Sequence, residues 1–276
     1  MATVTVGQEN SAPIDLYYED VGTGDPVVLI HGWPLNGASW EKQIAVLLKA
    51  GKRVITYDRR GFGQSSKPST GYDYDTFAAD LDALLSELDL EAVTLVGFSM
   101  GTGEVSRYIG RRGSDRVARA VLIGVIPPFL LQTGDNPEGV PQAVFDDIKA
   151  NIVADRPAFL LQFLKNFYNW DKLGGDKVSE DVLKANWTVA IGASPKGTLD
   201  CVDAWVEDFR PDVAAIDVPT LIIHGDADQI LPVDATARRL KDLIAGAEYV
   251  ELPGGPHGVL WTHAEAVNQA LVDFIG

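Results

Sequence analysis

A mostly parallel, twisted α/β sheet flanked by helices, with one helical insertion, is the fold class that the sequence predicts. Three observations predict it. Short, continuous, β-branched apolar runs recur along the chain, bounded by Gly, Pro or Asp, as strands buried on both faces are. Most of them precede a stretch of helical periodicity, and strand alternating with helix builds a doubly wound parallel sheet. The alternation fails between Pro127 and Arg210, where the pattern reads as helical throughout. The expected organisation is a core of residues 1–126 and 211–276 with a helical cap at 127–210.

In chain order, residues 2–8 and 13–20 alternate apolar and polar, which suits a half-buried pair of strands. Buried strands are then expected at Val27–Ile30, Val54–Tyr57, Val93–Phe98 and Val117–Ile123, and after the insertion at Thr220–Ile223 and Tyr249–Leu252. Phe77, Leu81, Leu84, Leu85 and Leu88 make the apolar face of one helix, and Val267, Leu271, Phe274 and Ile275 that of the last. A capping box, Thr262-x-x-Glu265, is expected to start that last helix. Within the cap, Phe159, Phe163 and Phe167 recur every four residues beside Leu160, Leu164 and Tyr168. Most of these side chains are expected to pack the cap on the body; the rest would shape an apolar pocket over the sheet's carboxyl edge.

Bulk properties narrow the function. At 276 residues and 46% apolar content the chain can bury a substantial core. Its net charge of −16 repels phosphate backbones, so nucleic acid is excluded as a partner. No stretch reaches the ~20 apolar residues of a membrane span. MATVTVGQEN has neither a basic n-region nor a long apolar h-region, so no signal peptide is expected. A lone cysteine, Cys201, suits a reducing compartment. A cytoplasmic protein is expected. No Cys/His cluster has metal-ligand spacing and no heme or dinucleotide motif stands out, so no metal and no cofactor are expected.

The chemistry-bearing motif is Gly97-Phe98-Ser99-Met100-Gly101, between a buried strand and a helix. A strand turning straight into a helix crowds its apex, small neighbours relieve the crowding, and Ser99 would project, exposed, from the carboxyl edge. The Met100 amide would then face whatever Ser99 attacks and stabilise an oxyanion. Serine needs a base. His31 and His224 each end a strand and suit structural roles, His263 falls at the start of the last helix, and His257 lies in the loop PGGPHG, the favoured position for a base. His224-Gly225-Asp226-Ala227-Asp228 offers two acids to orient the imidazole, one of which should be a turn residue.

HGWPLNGASW, YDRRGFGQSS, GFSMGTGEVSRY, HGDADQILP and PHGVLWTHAE together resemble the α/β-hydrolase superfamily over nearly the whole chain, and within it the cofactor-free bacterial haloperoxidases, which act as perhydrolases and esterases. The resemblance implies Ser99 as nucleophile, His257 as base, Asp228 as orienting acid and the Trp33 amide as second oxyanion donor. It implies a small-molecule ester or carboxylic acid, with hydrogen peroxide, as substrates, and it leaves homo-oligomers open. GTGEV and DNP resemble γ-lactam hydrolases, which makes a lactam the alternative substrate; a homologue that binds without turnover is a more remote reading. Pro34 follows the oxyanion tryptophan as in perhydrolase-type members and is expected to shape the peroxide site. Thr102 departs from the glycine many haloperoxidases carry there, with an expected effect on packing beside the elbow.

Overall fold

The computed structural model describes residues 2–276. Eight strands, β1 (Ala2–Glu9), β2 (Ala12–Val21), β3 (Pro26–Ile30), β4 (Arg53–Tyr57), β5 (Val93–Phe98), β6 (Val117–Ile123), β7 (Thr220–Gly225) and β8 (Glu248–Leu252), form one sheet in the order β1-β2-β4-β3-β5-β6-β7-β8. β1–β2 and β2–β4 pair antiparallel and the remainder parallel. The expected strands all form. β7 runs on to Gly225 because His224 and Gly225 still pair with Glu251 and Leu252. From β3 to β7 nearly every residue is buried, which is why these strands read as unbroken apolar runs.

Parallel neighbours need crossovers, and the helices supply them. They are α1 (Glu41–Lys49), α2 (Tyr74–Glu87), α3 (Met100–Arg112), α4 (Gln142–Phe167), α5 (Trp170–Leu173), α6 (Glu180–Ile191), α7 (Pro195–Ala204), α8 (Arg210–Val213), α9 (Ala237–Leu240), α10 (Val259–Thr262) and α11 (Ala264–Ile275). α2 starts at Asp73, whose carboxylate accepts from Thr76 N at 2.8 Å, and it buries Phe77, Leu81, Leu84 and Leu85. Among the described residues no helix is long and apolar enough to cross a membrane.

Two local expectations are corrected. The span from Pro127 is not helical throughout: residues 127–141 form a loop pinned by the bridges Phe129↔Asp208, Leu131↔Val140 and Thr133↔Asn136. Four prolines and two glycines in those fifteen positions forbid a helix. α4 also breaks at Asp155 (φ −158°, ψ 85°), whose carboxylate accepts from Ala158 N at 3.0 Å and so caps the segment that Pro157 helps to start. The capping box does not form either. Thr262 already belongs to α10, its hydroxyl donates to Gly258 O at 3.1 Å, and His263 is the N-cap of α11 with no side-chain cap.

The sheet order fixes where a site can lie. β4 and β5 flank β3 on opposite sides, so the winding reverses between β3 and β5, and their carboxyl ends open a crevice. Ile30 pairs with Gly97 there, which sets the loop after β3 beside the turn after β5. β7 and β8 end on the same edge, two and three strands along.

Candidate active site

Ser99 stands between β5 and α3 with φ 54° and ψ −119°, a conformation that costs a non-glycine residue on the order of 1–3 kcal/mol. The turn is held by its amide, which donates to Ile123 O at 2.8 Å, and by its carbonyl, which accepts from Thr102 N at 2.8 Å. Gly97 and Gly101 are required by close approach. A Cβ on Gly97 would strike the Gly101 carbonyl, and one on Gly101 the Ile30 carbonyl.

The structure brings together the three side chains singled out from the sequence. His257 Nε2 lies 2.8 Å from Ser99 Oγ, and His257 Nδ1 lies 2.7 Å from Asp228 Oδ2. The imidazole belongs to the loop after β8 and the carboxylate to the loop after β7. Asp226 stands apart: it is exposed and accepts from Gly254 N at 2.6 Å, tying the acid loop to the base loop.

One expectation about Ser99 fails. It is 6% exposed, not projecting into solvent, and His257 is 1% exposed. The helical segment covers the imidazole. Phe167 of α4 sets its edge on the His257 ring (centroids 5.0 Å, 83°), Phe98 lies on it at 5.2 Å, and Gly258 N donates to Phe167 O at 2.8 Å. Phe163 meets Trp33 edge-on at 4.8 Å. Phe163 and Phe167 therefore pack α4 on the residues around the candidate site.

Asp228 Oδ1 accepts from Ile230 N and Leu231 N, both at 2.8 Å, and Oδ2 takes His257 together with His224 Nε2 at 3.2 Å. Burial alone would raise its pKa. The His257 charge, with the hydrogen bonds from His224 and His257, overrides burial and holds the carboxyl well below its usual range. Sequence reasoning gave His224 a structural role only. It does hold structure, since Val125 N donates to its Nδ1 at 3.1 Å, which puts the proton on Nε2, between Leu231 O (3.0 Å) and Asp228. The missed signal was a histidine four residues ahead of the acid, at the strand end that launches it.

The two donors expected for an oxyanion are backbone amides. Met100 opens α3, whose first amides have no intrahelical acceptor. Gly32 comes so near that a Cβ there would lie 2.8 Å from Ser99 Cβ, which brings the loop carrying the Trp33 amide against the nucleophile. The Trp33 side chain is 2% exposed; its indole donates to Thr198 O at 3.2 Å and stands edge-on to Trp205 at 4.9 Å. The buried Pro34 sits inside the turn closed by Leu35 N donating to Gly32 O at 3.1 Å, and its peptide bond to Trp33 is cis.

Beneath this loop lies a buried ion pair that sequence reasoning did not single out. Arg59 Nε donates to Glu104 Oε2 at 2.7 Å, Arg59 Nη2 to His31 O at 3.0 Å, and Arg59 N to His31 Nε2 at 2.9 Å. Tyr57 donates its phenol to the other Glu104 oxygen; burial, then the Glu104 charge, push its pKa up and keep the proton on it. Burial and the Arg59 charge likewise keep His31 neutral. The cluster clamps the start of the loop after β3 to the second turn of α3. His263 stands at the N-cap position of α11, without capping it through its side chain, and is not part of the site.

Residues 25–264 match the model of a family described as alpha/beta hydrolase fold. A Synechocystis sp. relative with a provisional non-heme chloroperoxidase name is 63% identical over 275 residues, covering 100% of each chain. The bifunctional esterase/perhydrolase of Acinetobacter calcoaceticus is 37% identical over 268 residues, covering 95% of this chain and 96% of that one. Among solved structures, the bromoperoxidase from Bacillus anthracis superposes with a TM-score of 0.96 at 50% identity, covering 99% of each chain.

Proposed function

The chain belongs to the alpha/beta hydrolase family, in the company of non-heme haloperoxidases and perhydrolases, and we propose that it is a serine hydrolase that cleaves esters through an acyl-enzyme and passes the acyl group to water or hydrogen peroxide. The observation that carries this reading is the unbroken chain from Ser99 Oγ to His257 to Asp228 at 2.8 and 2.7 Å.

In this reading Ser99 Oγ attacks the ester carbonyl while His257 Nε2 takes its proton. The carbonyl electron pair moves onto oxygen, where the amides of Trp33 and Met100 receive it. The tetrahedral species collapses, the bond to the alcohol breaks, and His257 returns the proton to the departing oxygen. Water then attacks the acyl-enzyme, His257 takes its proton and passes it to Ser99, and a carboxylic acid leaves. Hydrogen peroxide in place of water gives a peracid, which oxidises a halide ion to hypohalous acid and reverts to the carboxylic acid. Asp228 holds His257 with Nε2 free for this traffic and balances the imidazolium charge. No residue here is asked to bind a metal or cofactor.

Residues 127–210 act as the cap that closes the site, and Pro34 shapes the wall met by peroxide. The reducing cytoplasm suits the buried free thiol of Cys201. The named relatives favour ester and peroxide chemistry over the lactam alternative. Labelling with a fluorophosphonate tests the reading: Ser99 should label, substrate should protect it, and an aryl ester supplied with peroxide should yield peracid. Absence of labelling at Ser99 overturns it.

A further inference from the structure

Thr102 makes one hydrogen bond more than helix geometry requires. Its amide donates to Ser99 O at 2.8 Å, closing the first turn of α3. Its hydroxyl Oγ1 reaches the same carbonyl at 2.6 Å. The direction of that hydroxyl is fixed, because Ile126 N donates to Oγ1 at 3.1 Å and occupies a lone pair, so the proton points to Ser99 O. Thr102 is fully buried, and its own carbonyl accepts from Ser106 Oγ at 2.9 Å. Water therefore has no part in this arrangement.

Ser99 C=O and Met100 N–H belong to one peptide unit, which is planar. Two donors on the oxygen fix the plane and so the direction of the N–H. They also draw electron density toward the oxygen, which makes the N–H a stronger donor, as in any chain of hydrogen bonds at low dielectric. The line runs from Ile126 N–H to the Thr102 hydroxyl, to the Ser99 carbonyl, to the Met100 amide, and from there to the substrate oxygen. A glycine at 102 would keep the amide bond and lose the hydroxyl.

We infer that Thr102 is a positioning residue for the reaction, orienting and polarising the Met100 oxyanion donor through the Ser99 carbonyl. The inference rests on the proposed role of Ser99, and its predicted effect falls on the transition state. The peptide N–H meets full negative charge only there, so losing its polarisation should lower kcat more than it raises KM.

The test compares Thr102→Val, which keeps the shape, Thr102→Ala, and Thr102→Ser, which keeps the hydroxyl. The Val and Ala variants are expected to lose about 10-fold in kcat on a short-chain aryl ester at nearly unchanged KM, less than the roughly 10²–10³ that removal of an oxyanion donor itself costs. A trifluoromethyl ketone, which forms a tetrahedral oxyanion on the serine, should bind them weaker by the same factor. A non-hydrolysable ether isostere of the ester, which develops no oxyanion, should bind all variants alike. Ser should restore both kcat and ketone affinity. The inference is overturned if Val and Ala keep wild-type kcat, or if ether and ketone affinities fall together, which marks a packing role. Should Val fold poorly, Ala against Ser decides alone. Fluorophosphonate labelling of the wild type separates the two levels: labelled Ser99 with unaffected Thr102 variants removes only this inference, whereas an unlabelled Ser99 removes the hydrolase reading with it.

Discussion

The Asp228 carboxylate accepts from two backbone amides and two imidazoles, whereas the donors on the far side of Ser99 are amides of a loop and of a helix's first turn, groups with no acceptor of their own in the helix. In the proposed reaction the side that handles the proton is saturated with partners. The side proposed to receive the negative charge is left short of them and is held from behind, by the Arg59–Glu104 pair and the Thr102 hydroxyl. The difference follows from what each side must do. A base must be kept in one tautomer and one orientation before substrate arrives, so its partners are permanent. An oxyanion hole gains only from interactions that strengthen in the transition state, so its donors must wait unpaired on a rigid frame.

The largest effects should come from breaking the saturated side at its working end. Ser99→Ala and His257→Ala are each expected to lower ester kcat by about 10⁴–10⁶, with the double variant little worse than either, because members of a triad act as a unit. Losses that multiply would dissolve the assignment. Asp228→Asn should cost about 10²–10⁴ by removing the charge opposite the imidazolium and unsettling its tautomer. Asp226→Asn, which only disturbs the link to Gly254 N, should stay within a few-fold of wild type. Kinetics of the two asparagine variants side by side check the ranking, and a reversed order would move the acid to Asp226.

How much of this was legible beforehand divides along the same line. Strands buried on both faces announce themselves by composition, and the elbow by its glycines, so the sheet and Ser99 could be read from local sequence. Between Asp226 and Asp228 the residues alone left the choice open, since both follow the same strand and both types make turns. The resemblance points to Asp228, and it is the carboxylate that the folded loop after β7 sets against the imidazole. The burial around Ser99 is not legible locally, because the His257 ring it bonds to is packed under Phe167 of α4, ninety residues before it in the chain. Arg59 and Glu104 are not singled out by the sequence for a similar reason, whereas His224 is given its structural role there without its contact to Asp228. A charged or imidazole side chain reads as surface or scaffold until its partner is seen, and these partners lie 45 and 28 positions away for Arg59.

The frame behind the oxyanion side should show itself in stability. Arg59→Met leaves the buried Glu104 without its ion-pair partner and with only the Tyr57 phenol donating to it, and is expected to cost about 3–5 kcal/mol in urea unfolding. Adding Glu104→Leu should recover much of that loss, because the penalty comes from the uncompensated charge. If the double variant is no better than the single, the pair is not the source of the effect.

The saturated side should show itself in acid. Asp228 is held below its usual pKa when folded, so the unfolded chain binds its proton first as pH falls. Its contribution to stability is then fully present above about pH 4, the ordinary carboxylate range, and is lost progressively below it. Unfolding free energy followed from pH 6 downward should fall less steeply in Asp228→Asn than in wild type. Equal slopes would mean that the carboxylate's partners contribute nothing to folding.

The smallest expected effect tests whether the unsaturated side also selects the second nucleophile. Pro34 fixes its own φ near −65° and restricts Trp33 before it, and the turn it occupies closes on Gly32, which touches Ser99. We propose that this restriction aims the Trp33 carbonyl at the acyl-enzyme, where it accepts a hydrogen bond from peroxide as the distal oxygen attacks. Water, with no second O–H in that position while its oxygen attacks, gains less from the same acceptor. Pro34→Leu frees both residues and restores a backbone N–H. It should lower the ratio of peracid formation to ester hydrolysis by about 3- to 10-fold, which corresponds to roughly 0.7–1.4 kcal/mol between two transition states. Ser99 should still acylate at close to the wild-type rate, since the amides of Trp33 and Met100 keep their places. The quantity to measure is the product ratio at fixed peroxide, together with the burst of alcohol release. A variant that keeps the ratio would show that Pro34 only stiffens the turn and has no part in the choice between water and peroxide.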